Sequence, residues 1–489
     1  MTIEVNMEHK YQEFKFEIDL SPFEMFKRLD QHCQNAFILE SLGEESAFSR
    51  FTYLGAEPQT VVSDATTDYA ALKNLLPHVE GLPPHYHGGL VGYAAYDGTA
   101  HFEQAFVGEK HPHFPSFEFG LYLDGFIFDK HTHAMRYFTL KKDRRAQFKE
   151  MLKKDMETPS FEVKSQTADM TMPQYRKAFM SIKDQIQKGN AFQVVFSVGF
   201  EYECAGSPVG VYDSLRNINP SPHMYCMKFG KPQYQKAIMD LQSGNDSLRY
   251  GASAPIMQAD VKHGLSIGAS RYALGASPEL LFRTKGREIE HFGTLAGTLP
   301  RGRDGEQDAR LAAELTSDEK EVAEHMMLVD LARNDVGKVA EFGSVRAEKL
   351  MAVKRFSHVQ HLSTEVRGTL RHGLDSFDVL AACAPAGTLT GAPKVEAMRI
   401  IAEQEKSPRG LYGGSVGYVS VNGDAMFAIA IRSLFVSGNK AFSRSGSGIV
   451  YDSVCEKEYA EVMAKQRAME QAIEMATSDG NFLLLRVRG

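Results

Sequence analysis

The sequence predicts a mixed fold rich in β-strands, from β-prone runs, a repeated glycine motif, one charged helix and one amphipathic helix. Residues 12–150 of the 489-residue chain alternate short β-prone runs with turns. The segments 37–41 and 50–55 are typical strands. The segments 121–129 and 134–140 predict two strands joined by a turn.

A Gly-Gly turn followed by a β-prone run occurs twice, at 88–95 and at 413–420. Such a turn is a common hairpin signal. The repeat also suits two equivalent strands in one core of layered sheets. Helices are predicted at 142–154 and 173–189, and the β pattern resumes at 191–197.

Residues 157–172 are polar, contain Pro, Ser and Thr, and show no clear period. We interpret this segment as a linker. It separates an N-terminal region, 12–156, from a C-terminal region, 173–480.

Composition excludes several classes of partner. A net charge of −7 and a pI of about 6.2 argue against nucleic acid and anionic membranes. No apolar run is long enough to span a bilayer, and the N-terminus lacks a signal pattern. Five dispersed cysteines predict free thiols in a reducing compartment. We expect a cytoplasmic protein.

Two glutamate pairs suggest a cation site. Glu321 and Glu324 lie on one predicted helix, and Glu458 and Glu461 lie on another. Residues three apart lie on the same face of a helix, so the two carboxylates of each pair point in the same direction. If the two faces met, the carboxylates would need a cation or a proton between them, and oxygen ligands suit Mg²⁺.

Interpretations without a cation site also remain open for these glutamates. Most helical glutamates are solvated surface groups. Residues 316–319 fit a capping box, and Asp318 could cap the helix with Glu321.

Residues 385–401 join a small-residue loop to a helix, where backbone N–H groups favour an anion. The spacing excludes a nucleotide-binding phosphate loop, because three residues separate Gly387 from Gly391 and Pro393 precedes the lysine. Residues 321–325 likewise lack the His-Glu-x-x-His order of a zinc helix.

Two further side chains suit an anionic substrate. Arg432 interrupts an apolar strand and could pair with a substrate carboxylate or with an internal acid. His361 follows a predicted helical segment and could be a catalyst or a satisfied core histidine.

Taken together, these segments resemble the chorismate-utilising enzymes. The resemblance covers most of residues 175–470 in the family's order. It is carried by 189–197, 219–222, 275–279, 296–298, 321–335, 361–363, 385–401, 410–418, 429–432 and 446–465. The N-terminal third resembles the family's regulatory region at 39–41, Arg50 and 55–58.

The resemblance implies an α+β fold of layered antiparallel sheets with outer helices, and an active site in a cleft of the C-terminal domain. It implies the substrate chorismate, with Mg²⁺ held by Glu324 and Glu461 beside Glu321 and Glu458. The implied substrate-binding residues are Gly297, Thr298, Tyr412, Arg432, Gly446, Gly448 and Lys465.

By the family mechanism, ammonia attacks ring C2, the C4 hydroxyl leaves, and pyruvate is then eliminated. Glu321 is the expected acid and His361 the expected proton carrier in the elimination, with Thr388 lining the pocket. Gln193 stands where water-using members carry a lysine base, which favours ammonia as nucleophile. Ala296 stands where aminodeoxychorismate synthases carry a lysine nucleophile. Both positions favour anthranilate as product.

The resemblance also implies two partners. A separate glutamine amidotransferase subunit would supply ammonia, in a hetero-oligomer. Tryptophan would inhibit by feedback at a site formed by Glu40, Ser41, Pro222, Met224, Val416 and Tyr418.

Two alternatives remain: another ammonia-using chorismate enzyme, which makes aminodeoxyisochorismate or aminodeoxychorismate, and a non-catalytic paralogue that senses tryptophan or chorismate. The chain departs from the family's pattern at Val198, His223, Leu299 and 426–427. It also carries an insertion at about 231–272.

Overall fold

The computed structural model describes residues 10–42, 49–230, 270–355 and 359–477. Within these ranges the chain forms two antiparallel sheets, of twelve and ten strands, with helices on their outer surfaces. The predicted α+β architecture of layered antiparallel sheets is confirmed. Most of the insertion predicted at 231–272 lies outside the described residues.

The strands are, in chain order, β1 (Gln12–Lys15), β2 (Ala36–Glu40), β3 (Phe51–Ala56), β4 (Thr60–Ser63), β5 (Gly89–Ala94), β6 (Phe117–Tyr122), β7 (Asp124–Asp129), β8 (Ala134–Thr139), β9 (Glu162–Ala168), β10 (Gln193–Ala205), β11 (His223–Phe229), β12 (Arg271–Ser277), β13 (Leu280–Lys285), β14 (Glu288–His291), β15 (Ala296–Pro300), β16 (Arg346–Arg355), β17 (Val359–Thr369), β18 (Gly391–Ala392), β19 (Ser415–Ser420), β20 (Ala425–Ile429), β21 (Ser433–Ser437) and β22 (Lys440–Ile449).

The α-helices are α1 (Pro22–His32), α2 (Arg145–Leu152), α3 (Met172–Gln187), α4 (Val209–Ile218), α5 (Gly305–Ser317), α6 (Glu319–Gly337), α7 (Ser376–Cys383), α8 (Lys394–Gln404) and α9 (Cys455–Ala476). Short 3₁₀ helices span Tyr69–Leu75, Tyr96–His101 and Gly387–Leu389.

Strands from both ends of the chain interleave in each sheet. The first sheet runs β1-β8-β7-β3-β2-β11-β12-β21-β22-β10-β18, with β9 also beside β10. The second runs β15-β17-β14-β13-β20-β19-β5-β6-β4, with β16 beside β17. The two Gly-Gly segments lead into β5 and β19, which pair with Val91 opposite Tyr418. The repeat therefore does mark equivalent, adjacent strands of one core.

The first sheet is buried on both faces. Along β11, Tyr225 and Met227 join the core between the sheets, whereas Met224 and Cys226 join the core beneath the helices. Successive strand residues point to opposite faces, so one strand serves both layers. Helices α1, α3, α4 and α9 contribute to the outer core.

Two local predictions need correction. The expected linker contains β9, an outlying strand whose only fully buried residue is Val163, so its sequence looks polar. The segment before His361 is strand β16, so the predicted helix there is wrong. Its Ala, Glu, Lys, Leu and Met residues favour helix, but pairing with β17 overrides that propensity.

Other predictions hold. Helix α3 begins at the capping box of Thr171 and Gln174, with Pro173 in its first turn. Strands β7 and β8 form the predicted pair. All five cysteines are buried free thiols. In the described ranges, no helix combines the length and apolar character needed to cross a membrane.

Candidate active site

The first glutamate pair lies at the start of α6. Asp318 caps this helix, and its carboxylate accepts hydrogen bonds from the backbone N–H groups of Lys320 and Glu321 at 2.9 and 3.0 Å. The cap fixes where the helix begins and therefore which way Glu321 and Glu324 point. The second pair lies in the first two turns of α9.

The carboxylates of the two helices influence one another. Burial raises the pKa of Glu324, and the charges of Glu321 and Glu458 raise it further, while Lys320 opposes them. Because Glu458 belongs to α9, the two helices bring their acidic residues near each other. Glu461 is exposed and pairs with Lys465 at 2.7 Å.

The four glutamates suit a cation that also binds water or substrate oxygens. Among the described residues, no three carboxylate, imidazole or thiol groups lie close enough to hold a metal ion by themselves. Mg²⁺ commonly takes one or two protein carboxylates and fills its other positions with water or substrate oxygens. The glutamates fit that pattern, and burial of Glu324 beside two like charges favours a nearby cation.

Gly297 lies next to both Glu321 and His361. Its carbonyl accepts a 2.8 Å hydrogen bond from Nδ1 of His361. A Cβ added to Gly297 would lie 2.8 Å from Oε2 of Glu321, and its φ of 64° also favours glycine. Thr298 follows in the same strand, β15.

His361 lies on β17 and is neutral at pH 7. Burial lowers its pKa, and the charges of Arg432, Lys354 and Lys465 lower it further, against the opposing effect of the Gly297 hydrogen bond. Since Nδ1–H donates to Gly297, the neutral ring carries its lone pair on Nε2. Such a ring can accept a proton.

The predicted glycines Gly446 and Gly448 lie on β22, next to β10, which begins at Gln193. Nζ of Lys465 donates to the carbonyl of Gly446 at 3.0 Å. A Cβ on Gly446 would lie 2.9 Å from the Tyr412 hydroxyl, and one on Gly448 would lie 2.7 Å from Nε2 of Gln193. Larger residues at either glycine would therefore displace a predicted site residue.

Two polar groups in this region lack partners among the described residues. Oε1 of Gln193 is buried and accepts no hydrogen bond there. Arg432 follows β20 in a left-handed conformation with φ of 52°, and it makes no ion pair with any described acid. Burial lowers its pKa. The internal ion pair that we considered for Arg432 is therefore not seen in the described part of the chain.

The structure adds a residue that sequence reasoning missed. Glu279 is buried in the turn between β12 and β13, and burial raises its pKa to about 8. The Thr388 hydroxyl donates to it at 3.2 Å. The charges of Lys354 and Lys465 lower the pKa of both Glu279 and His361. The motif at 275–279 was recognised, but burial of its last residue cannot be read from sequence.

The six residues predicted to bind an inhibitor surround one cavity. Its volume is about 190 Å³, and its lining includes Glu40, Ser41, Pro222, Met224, Val416 and Tyr418. Oγ of Ser41 is buried without a partner among the described residues. Glu40 accepts hydrogen bonds from Tyr212 at 2.8 Å and from Arg216 at 2.7 Å.

Three departures from the family's pattern are placed by the structure. Met426 and His223 line this same cavity, and burial lowers the pKa of His223 to about 3. Phe427 packs against Phe282 in the core between the sheets, with ring centroids 5.5 Å apart. These changes therefore lie at the cavity and in the core.

Sequence comparison identifies the class to which this fold and site belong. The model of the family described as chorismate binding enzyme matches residues 34–235 and 258–471. The chain belongs to this family.

The individual relatives carry a more specific name. Anthranilate synthase component 1 of Methanothermobacter thermautotrophicus is 36% identical, over 93% of this chain and 92% of the relative. Anthranilate synthase component 1 of Leptospira biflexa is 37% identical, over 93% of each chain. The crystal structure of anthranilate synthase component I from Streptococcus pneumoniae superposes with a TM-score of 0.69 at 28% identity, over 87% of this chain and 93% of that one.

Proposed function

We propose that this chain is the chorismate-converting component of an anthranilate synthase. It would convert chorismate and ammonia to anthranilate and pyruvate, the first step of tryptophan biosynthesis, as a lyase. The observation that carries the proposal is Arg432, a cation beside His361 and Tyr412 that no described acid neutralises. A site with a half-buried cation that no described acid pairs with is suited to a carboxylate substrate.

Substrate binding follows from the charges. Arg432 and Tyr412 would hold the enolpyruvyl carboxylate, while backbone N–H groups near Gly446 and Gly448 would bind a substrate carboxylate. Glu324 and Glu461 would hold Mg²⁺, with Glu321 and Glu458 beside them. When bound, this ion would neutralise the ring carboxylate and withdraw electron density from the ring.

Gln193 would help to position the nucleophile. Its buried Oε1 accepts no hydrogen bond from the described residues, so it can accept one from an N–H of ammonia. An amide cannot deprotonate water at neutral pH, which again favours ammonia over water as nucleophile.

Glu279 would protonate the departing C4 hydroxyl. With a pKa of about 8 it is a carboxylic acid at pH 7, and Thr388 orients it by donating to its oxygen. Glu321 was the acid expected from the resemblance and stays a candidate. His361, neutral and held by Gly297, would accept the ring proton lost as pyruvate is eliminated.

The 190 Å³ cavity would bind tryptophan as a feedback inhibitor. The Ser41 hydroxyl could hold the amino group, with the carboxylate of Glu40 nearby. Met224, Val416 and Tyr418 would provide apolar walls for the indole.

The test is turnover of chorismate with ammonium and Mg²⁺ at alkaline pH, where free ammonia is abundant. Anthranilate fluorescence and a pyruvate assay would be followed together. Equal amounts of both products support the proposal. An amino product without pyruvate would assign the chain to the aminodeoxyisochorismate or aminodeoxychorismate branch, and no turnover would favour a non-catalytic role.

A further inference from the structure

A network of buried charged side chains lies beside the candidate site. Its four members have side chains that are at most 15% exposed: Asp169, Glu405, Arg409 and Arg444. Arg409 pairs with Glu405 at 2.7 Å. Arg444 lies 3.3 Å from Glu405 and 3.0 Å from Asp169, and so joins the two acids. Two positive and two negative charges are therefore buried together, and each has an opposite charge beside it.

Glu405 is ionised at the centre of this network. Burial raises its pKa, but the charges of the two arginines outweigh burial and hold the pKa below its usual range. Oε1 of Glu405 accepts hydrogen bonds from the N–H and the hydroxyl of Ser197 on β10, at 3.0 and 2.6 Å. Two residues further along β10, a Cβ added to Gly199 would lie 2.8 Å from Oδ2 of Asp169. The network is therefore packed closely against β10.

Arg409 extends from this network towards the candidate site. Its Nη1 donates to the carbonyl of Leu389, and its Nη2 donates to the carbonyl of Val195 at 2.7 Å. Its Cζ lies 4.6 Å from the ring centroid of Tyr96, in the N-terminal region, and 5.7 Å from that of Tyr412. One planar guanidinium thus contacts a 3₁₀ helix, strand β10 and two tyrosine rings at once.

Three of these contacts involve or adjoin residues assigned to the site. Leu389 directly follows Thr388, whose hydroxyl donates to the proposed acid. Val195 lies two residues after Gln193 on β10. Tyr412 is itself an expected partner of a substrate carboxylate. Displacement of the guanidinium would therefore loosen residues that are proposed to act on the acid, on ammonia and on chorismate.

We propose that Arg409 is a positioning residue for the conversion of chorismate. It holds Thr388, Gln193 and Tyr412 in one arrangement without touching the substrate. This inference rests on the proposed function. The fork of N–H donors on an arginine can reach both carbonyls and Glu405 together, whereas a lysine presents a single nitrogen. A lysine would still supply the positive charge beside Glu405, so the two roles can be separated.

The test uses Arg409→Lys in the full-length chain, with Arg271→Lys as the matched control. Arg271 is also a buried arginine paired with a buried acid, Glu118. It lies opposite Ser437, which ends β21, whereas Arg432 precedes the start of that strand. Thermal unfolding gives Tm, and steady-state kinetics give kcat and the KM values for ammonium and chorismate. A crystal structure of Arg409→Lys gives the positions of the site residues.

We expect Arg409→Lys to raise the KM for ammonium and the KM for chorismate about tenfold each, because Gln193 and Tyr412 lose their positions. Arg271→Lys should keep both KM values. In the crystal structure of Arg409→Lys, the Thr388 hydroxyl should lie beyond hydrogen-bonding distance of Glu279. A purely structural role would lower Tm, and kcat with the folded fraction, but would leave both KM values unchanged. That result would overturn the inference.

Ser197→Ala decides the inference if Arg409→Lys does not fold. It removes one hydrogen bond to Glu405 and leaves both arginines of the network in place. We expect both KM values to rise at least twofold, and unchanged KM values with a lower Tm would overturn the inference. A wild-type chain that does not turn over chorismate would contradict the proposed function. The distance from Thr388 to Glu279 in the crystal structure of the folded variant would then decide the inference by itself, and an unchanged distance would overturn it.

Discussion

The hydroxyl of Thr388 donates a 3.2 Å hydrogen bond to the buried carboxyl of Glu279. This bond lowers the pKa of Glu279, against the larger effect of burial, which raises it to about 8. The balance keeps Glu279 protonated at pH 7 and able to act as an acid.

Loss of the acid should remove most turnover. We expect Glu279→Gln to lower kcat by about 10²- to 10⁴-fold, the range typical of general acid catalysis, with little change in chorismate affinity. Steady-state kinetics with ammonium would measure this. Glu321→Gln is the comparison, and a larger kcat loss there than in Glu279→Gln would return the acid's role to Glu321.

The pH dependence of turnover should reflect the ionisation of Glu279. Only protonated Glu279 can donate, so turnover per unit of free ammonia should fall as pH rises through about 8. Thr388→Val removes a hydrogen bond that lowers the pKa, so its alkaline limb should move to higher pH. If turnover of Thr388→Val falls at the same pH as turnover of the wild-type chain, a group other than Glu279 causes the fall.

Arg432 is expected to lower the stability of the fold and to strengthen the binding of chorismate. An arginine desolvated without a counter-charge costs free energy, so Arg432→Gln should not lower Tm and could stabilise the fold by about 1 kcal/mol. The KM for chorismate should rise at least tenfold, because a carboxylate partner is lost. Thermal unfolding and kinetics measure both effects. Arg399→Gln, at an exposed ion-paired site, is the control. A lower Tm with unchanged KM would contradict this account.

Gly448 should be required for the use of ammonia. Alanine there would bring Cβ to 2.7 Å from Nε2 of Gln193 and force that side chain to move. We expect Gly448→Ala to raise the KM for ammonium about tenfold, roughly the effect of one misplaced hydrogen bond. Gly210→Ala is the control, because its Cβ would meet only Ala476 at 3.6 Å. Equal KM values for both variants would argue against a role of Gln193 at the nucleophile.

Inhibition by tryptophan should depend on Ser41. Its buried hydroxyl lacks a partner among the described residues, so Ser41→Ala should cost no stability without ligand. It should weaken inhibition about tenfold, because a hydrogen bond to a charged amino group is lost. Ser221→Ala is the control, since Ser221 is buried nearby and already donates to the Asn219 carbonyl. Identical inhibition of both variants would remove Ser41 from the inhibitor site.

Sequence patterns predicted local structure where one physical signal dominated. The two Gly-Gly turns marked β5 and β19, and the two helices predicted to carry the glutamate pairs are α6 and α9. Prediction failed at β16, where long-range pairing overrides helix propensity, and at β9, whose exposed face makes a strand look like a linker.

The site was predictable mainly through resemblance. Glycine positions beside Gln193 and Glu321 matched the family, and the structure shows the close approaches that exclude a side chain there. The raised pKa of Glu279 and the missing counter-charge of Arg432 depend on burial by distant segments, so no local pattern reports them.

The most direct test of the central claim is incubation of the chain with chorismate, Mg²⁺ and ¹⁵N-labelled ammonium, followed by mass spectrometry of the products. The account predicts ¹⁵N-labelled anthranilate and an equal amount of unlabelled pyruvate. A labelled product that retains the enolpyruvyl group, or an unlabelled product hydroxylated by water, would contradict it.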